Sequence, residues 1–253
     1  MISNFFLKLK SNKKNNLIKT ICIGNIYLGG TGKTPTTIKI FEILEELGFY
    51  VSTGKKINIS KHDENIILNT KTKLITEKNR KEILDKAIKY KQDILVFDDG
   101  LQDKTISYDL EFVCFDGNNF IGNGNLIPSG PLREKTESLK KYDGVFIKYD
   151  REILDDQSNF IKRINPKIEI FKTYFKISNL KNFNLDDNYL IFSGVGNPQS
   201  FKYILEKNKF KIKKEIIFPD HHQYKKNEIE DMINKAKKDN LKIITTEKDY
   251  VKI

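Results

Sequence analysis

The amino-acid sequence predicts an α/β fold, a mainly parallel sheet flanked by helices, followed by a second and smaller unit of the same class. Three observations predict it. Short apolar runs alternate with longer amphipathic ones, the pattern of βα units. Five of the six prolines (Pro35, Pro128, Pro131, Pro198, Pro219) lie in or beside glycine-rich or charged loops at strand ends, where open α/β folds build their ligand sites. After Pro166 the texture shifts, and a polar connector precedes a fresh set of strands and helices.

In chain order, Lys19 to Gly24 reads as a buried strand, with a glycine-rich turn and a helix from about Gly32 to Leu47 behind it. Apolar strands are expected at Ile94 to Phe97, Leu110 to Phe115 and Gly144 to Ile147, and helices at Lys81 to Lys91 and Glu134 to Tyr142. Ile168 to Ile177 looks extended, and Ser178 to Asn188 is the polar connector. Strand Tyr189 to Ser193, helix Ser200 to Lys207, strand Lys213 to Phe218, helix Asn227 to Lys238 and strand Leu241 to Thr245 then follow. The expected division is a first domain over residues 1–175 and a smaller one over 176–253.

Composition narrows the classes. The 253 residues suffice for one large or two modest cores. No apolar run reaches the roughly 18 residues that cross a bilayer. Cys22 and Cys114 sit in apolar runs with no zinc or disulfide spacing, so the compartment reads as cytosolic. The net charge of +11 invites an anionic partner, but arginine occurs only at 80, 133, 151 and 163. Nucleic-acid readout favours the arginine fork, so spread lysine points to solvated surface and no nucleic acid is expected as partner.

Gly29-Gly30-Thr31-Gly32-Lys33-Thr34 follows a strand and opens a helix, the setting of a phosphate-binding P-loop. Backbone amides there turn onto phosphate oxygens, Lys33 reaches the β- and γ-phosphates, and the Thr34 hydroxyl ligates magnesium. The general pattern has glycine where Tyr27 stands, and Leu28 occupies the place of a leading lysine. Asp98 and Asp99 end a buried strand, where P-loop proteins put the acid that serves the metal. Adjacent strand residues face opposite ways, so the two carboxylates are expected to have different jobs. Gln102 is placed to position phosphate or water.

Pro128-Ser129-Gly130-Pro131-Leu132-Arg133-Glu134 forms a stiff loop in which Arg133 suits phosphate charge and Glu134 a further magnesium contact. On the residues alone it also reads as a helix N-terminal acid beside a surface arginine. Asp220-His221-His222 is either a turn or a carboxylate-paired histidine that handles a proton. Gly194-Val195-Gly196-Asn197-Pro198 and Thr245-Thr246-Glu247-Lys248-Asp249 end strands of the second unit.

Taken together, Gly24-Asn25-Ile26 running into GlyGlyThrGlyLysThrPro, AspAspGlyLeuGln at 98–102, ProSerGlyProLeuArgGlu at 128–134, GlyValGlyAsnPro at 194–198, PheProAspHisHis at 218–222 and ThrThrGluLysAsp at 245–249 resemble the tetraacyldisaccharide 4′-kinase family. The resemblance implies a P-loop-type α/β/α sandwich with a second, smaller α/β/α domain closing on ATP. It implies ATP- and magnesium-dependent phosphorylation of a lipid A disaccharide precursor at the cytoplasmic face of a bacterial inner membrane. By motif position, Tyr27, Leu28, Gly29, Gly30, Thr31, Gly32, Lys33, Thr34 and Gln102 bind nucleotide. Thr34, Asp99 and Glu134 hold magnesium, while Asp98, Asp99 and Arg133 join the catalytic cluster. His62-Asp63-Glu64-Asn65 is the nearest match to the family's base segment, without its flanking Gly and Pro. Asp63 is therefore the expected base and His221 its helper.

The family carries an amphipathic N-terminal membrane segment. Here Met1 to Lys10 precedes a polar stretch, and Phe5 and Phe6 beside Lys8, Lys10, Lys13 and Lys14 are expected to make peripheral contact with anionic lipid. A monomer is expected. Two other classes stay open on the residues: a P-loop enzyme acting on a small metabolite or partner protein, and a non-catalytic basic adaptor.

Overall fold

The computed structural model describes Phe6 and residues 18–57, 62–149 and 155–253. They fall into two compact units, one within Met1–Ser60 and Leu68–Thr173, the other within Lys61–Ile67 and Tyr174–Ile253. The segment around Asp63 thus groups with the second unit, although sequence order places it in the first.

The first unit contains β1 (Lys19–Gly24), α1 (Lys33–Glu46), β2 (Val51–Lys56), the end of α2 (His62–Lys71), β3 (Leu74–Glu77), α3 (Arg80–Lys89), β4 (Ile94–Asp98), β5 (Leu110–Asp116), β6 (Gly144–Lys148), α4 (Asp155–Ile164) and β7 (Glu169–Thr173). Its strands pair in parallel in the order β3-β2-β4-β1-β5-β6-β7. Alternate residues feed two cores, as a pleated sheet covered on both faces requires. Cys22, Leu95, Phe97, Val113, Phe115, Val145 and Ile147 share one cluster. Ile21, Ile23, Val96, Phe112, Cys114 and Phe146 share the other. Both cysteines are free and buried, the small core residues their apolar runs indicate.

The second unit is a three-stranded parallel sheet in the order β10-β8-β9, made of β8 (Asn188–Ser193), β9 (Lys211–Ile217) and β10 (Lys242–Thr245). Helices α5 (Pro198–Lys207), α6 (Lys226–Lys238) and the short α7 (Glu247–Tyr250) complete it. Tyr189 and Ile191 pack to one side, Leu190 and Phe192 to the other. Each unit is therefore an α/β/α arrangement.

Five elements escape the pattern reading: β2, α2, β3, α4 and the short α7. Strand β2 reads Val-Ser-Thr-Gly-Lys-Lys, poor in β-formers and rich in charge. It is nonetheless buried between β3 and β4. Gly54 makes this fit: a Cβ there would lie 2.8 Å from Ile83 Cγ2 and 3.2 Å from the Phe97 ring. The expected helix over 134–142 is only a 3-10 segment, Thr136–Lys141. Phe6 is not at an interface but fully buried, its ring edge-on to Phe112 at 6.0 Å. The other residues of that expected contact, Phe5 and the four lysines, lie outside the described residues.

Gly54→Ala is expected to destabilise the protein by about 1–3 kcal/mol in urea unfolding, the cost of overpacking a tight core. Gly30→Ala, where an added Cβ meets nothing within 4 Å, is expected to stay within about 1 kcal/mol of wild type.

Candidate active site

The loop between β1 and α1 lies where the sheet presents the carboxyl ends of its central strands. Gly32 adopts φ 81° and ψ 21° at the start of α1, a left-handed conformation that a side chain would strain. No side chain caps this helix, and a helix N-terminus is a place where phosphate oxygens are accommodated. Asn25 braces the loop from inside: its Nδ2 donates to Thr31 Oγ1 at 3.0 Å and to Gly29 O at 3.4 Å. The Thr36 hydroxyl donates to Gly32 O at 2.8 Å. Leu28, Gly29 and Gly30 are exposed while Thr31 is buried.

Asp98 and Asp99 do different work. Asp98 is 1% exposed, and its Oδ2 accepts from Thr34 Oγ1 at 3.0 Å and from Lys55 Nζ at 2.5 Å. Thr37 Oγ1 reaches Oδ1 at 3.5 Å. The chain leaves β4 at Asp99, which takes φ 63°. That turn aims its carboxylate at Arg133 Nη1, 3.2 Å away, with Lys33 Nζ at 4.0 Å. The Arg80 guanidinium holds the Asp99 carbonyl and the Asp103 carboxylate. Arg80 and the Thr105 groups bring Asp103 down to about 2, the Thr105 hydroxyl contributing most.

The loop that carries Arg133 is stitched to the segment before the phosphate loop. Leu28 N donates to Pro131 O at 2.7 Å and Arg133 N to Ile26 O at 2.8 Å, while Tyr27 and Leu132 form an antiparallel bridge. Gln102 links the two segments: its Nε2 donates to Asn25 O and Glu134 Oε1, both at 2.9 Å, and its Oε1 accepts from Arg133 at 3.5 Å. Glu134 is engaged by Tyr142 at 3.0 Å and Lys141 at 2.9 Å. Burial raises its pKa, but Lys141, Gln102 and Tyr142 outweigh that and leave it below the ordinary value. Its carboxylate ties Gln102, Tyr142 and Lys141 together, and the hydroxyl of Thr34 stands 3.0 Å from the Asp98 carboxylate. Among the described residues, no group of three or more His, Cys, Asp or Glu side chains gathers as a metal site.

In the second unit, Asp63 and His221 come together across 158 positions of sequence. His221 Nδ1 is 3.1 Å from Asp63 Oδ2, and Glu64 N donates to Asp63 Oδ1 at 2.9 Å. Asp63 is 3% exposed. The neighbouring histidine has another role: His222 stacks on Phe218 and pairs with Glu228 at 3.1 Å. The motifs at the ends of β8 and β10 frame this pair. Buried Asp249 accepts from Gly194 N at 3.0 Å and Thr246 Oγ1 at 2.7 Å, and Lys252 lies 2.8 Å away. Burial raises the Asp249 pKa, but these partners hold it below the usual carboxylate value.

Two residues were missed by sequence reasoning. Lys55 gave no signal, because a lysine in a short polar-looking strand reads as surface. Lys248 stood inside a recognised motif, but only the fold shows that its Nζ lies 3.0 Å from Asp220, 3.4 Å from His221 Nε2 and 3.8 Å from Asp63.

The sequence model of the tetraacyldisaccharide-1-P 4′-kinase family matches residues 4–253. A tetraacyldisaccharide 4′-kinase of Pelagibacter ubique (strain HTCC1062) is 46% identical over 255 residues, covering all of this chain and 81% of that protein. The tetraacyldisaccharide 4′-kinase of Rickettsia typhi (strain ATCC VR-144 / Wilmington) is 33% identical over 252 residues, covering 92% of this chain and 76% of that protein. The crystal structure of LpxK from Aquifex aeolicus in complex with ATP shares the fold, with a TM-score of 0.63 and 19% identity over all of this chain and 86% of that one. The chain belongs to the tetraacyldisaccharide 4′-kinase family.

Proposed function

We propose that this chain transfers the γ-phosphoryl group of ATP to the 4′-hydroxyl of tetraacyldisaccharide 1-phosphate, forming lipid IVA in lipid A biosynthesis. Family membership over residues 4–253 supports the reaction and its acceptor. The observation that carries the acceptor chemistry is the buried Asp63 carboxylate paired with His221 at 3.1 Å. Such a carboxylate accepts the sugar hydroxyl proton as the oxygen bonds to phosphorus and the bond to the ADP oxygen breaks.

The first unit handles the donor. Amides of Gly29 to Gly32 and the Lys33 ammonium bind the phosphates, and Arg133, held on Asp99 at 3.2 Å, stabilises charge on the transferred group. The Thr34 hydroxyl and Asp98 carboxylate are hard oxygen donors 3.0 Å apart, a set that fits magnesium. Thr34 and Asp98 would hold a magnesium ion that would neutralise phosphate charge. Among the described residues no helix is long and apolar enough to cross a membrane. We infer peripheral work at the cytoplasmic face of the inner membrane, where anionic lipid attracts a chain of net charge +11.

With ATP, magnesium and the lipid acceptor, the protein is expected to form the 4′-phosphorylated product. Asp63→Asn should lower kcat by about 10²–10⁴-fold, the span of general-base catalysis, with ATP affinity unchanged. Lys33→Ala should weaken ATP binding. ATP consumption that ignores the lipid, or full activity in Asp63→Asn, would contradict the reading. Chelation by EDTA is expected to stop transfer, and added magnesium to restore it. Transfer that persists in EDTA would remove the metal from the account.

A further inference from the structure

We propose that Lys248 is a positioning residue that holds His221 as a neutral imidazole with its hydrogen on Nδ1, directed at Asp63. The proposal rests on the kinase reading for its catalytic meaning, but its geometry stands independently. Lys248 Nζ lies 3.4 Å from His221 Nε2, and its firm acceptor is Asp220 Oδ1 at 3.0 Å. An ammonium carries three N–H donors and no lone pair. A hydrogen bond between the two side chains therefore runs from Lys248 into the Nε2 lone pair, and Nε2 carries no hydrogen. The ring hydrogen then sits on Nδ1 and donates to Asp63 Oδ2, 3.1 Å away.

The surrounding charges make this consequential. His221 faces Asp63 at 3.1 Å and Asp220 at 3.9 Å. Two carboxylates alone would offer each ring nitrogen an acceptor to donate to. Lys248 Nζ also lies 3.8 Å from Asp63 Oδ2, so one cation already stands beside the carboxylate, and an imidazolium would place a second against it. Lys248 occupies the Nε2 side and satisfies Asp220 itself, so His221 remains a hydrogen-bond donor to Asp63 without carrying a charge.

Both side chains are mounted on fixed backbone. Lys248 sits in α7 immediately before Asp249, whose buried carboxylate is tied to Gly194, Thr246 and Lys252. Thr246 caps the helix by accepting from Asp249 N at 3.1 Å. His221 takes φ 61° and donates its N–H to Gly194 O at 3.2 Å and Asp220 Oδ1 at 3.0 Å. Gly194 thus contacts both arms, and the separation of Lys248 from His221 is set by backbone rather than by flexible side chains alone.

Side-chain ¹⁵N NMR of histidine-labelled protein tests this directly. The chain has three histidines, and a His222→Gln variant together with the unfolded-state reference assigns the His221 signals. At pH 7.5 His221 is expected to show a protonated Nδ1 and an unprotonated Nε2. Lys248→Met should shift it to the doubly protonated or Nε2–H pattern, and Lys248→Arg should restore the wild-type pattern. In the kinase assay Lys248→Met should lower kcat by roughly 10- to 100-fold, the range for partners that orient a functional group, with KM for ATP unchanged. Wild-type His221 with hydrogen on Nε2, or a pattern that Lys248→Met leaves untouched, would overturn the proposal. The wild-type spectrum decides even if Lys248→Met does not fold. A correct spectrum without lipid phosphorylation would instead count against the kinase reading.

Discussion

The Asp98 carboxylate is the constraint on which the first unit depends. It is withdrawn from water at the end of a central strand and must find its partners inside the protein. It finds them on two other elements: Thr34 and Thr37 in α1, and Lys55 in β2. The helix that opens with the phosphate loop, the strand that borders β4, and β4 itself are thereby fixed by one charge. Lys55 is buried with it, since a carboxylate at this depth requires a compensating cation. That requirement explains why a strand wedged between β3 and β4 carries lysine at all. It also leaves Asp99, one residue on, free of this duty and turned towards Arg133.

The second unit repeats the device with Asp249. Its buried carboxylate gathers the ends of β8 and β10 through Gly194 and Thr246, and the residues beside those anchors are Lys248 and, through Gly194, His221. Functional groups in both units are thus neighbours of a buried, multiply bonded aspartate rather than isolated side chains on loops. Such groups hold their geometry because the backbone bearing them is bonded into the sheet.

Much of this was legible in the sequence where a local signal existed. The strands β1, β4, β5, β6 and β8 announce themselves as apolar runs, and GlyLysThr after a strand gives the phosphate loop. The order of motifs along the chain gives the family. What stayed hidden depends on partners distant in sequence. Strand β2 looks like a polar loop because its burial depends on Gly54 admitting Ile83 and Phe97 and on Lys55 meeting Asp98, 43 positions away. The contacts of the motif acid Glu134 with Tyr142, Lys141 and Gln102 gave no local signal either. Phe6 reads as a membrane contact beside lysines, but Phe112 offers it a core. The pairing of Asp63 with His221, by contrast, was expected from the family resemblance, since no spacing rule joins residues so far apart; the two lie at hydrogen-bond distance.

A double-mutant cycle on Lys55 and Asp98 tests the central constraint most directly. Unfolding free energies would be measured for wild type, Lys55→Met, Asp98→Asn and the double variant. If Asp98 is held as described, each single variant strands a buried polar partner, and Lys55→Met loses about 3–5 kcal/mol, as removing one member of a buried ion pair does. The double variant should recover most of that loss, giving a coupling energy of about 2 kcal/mol or more. Strictly additive losses would mean that the two side chains do not sustain one another, and the account of the first unit would fail.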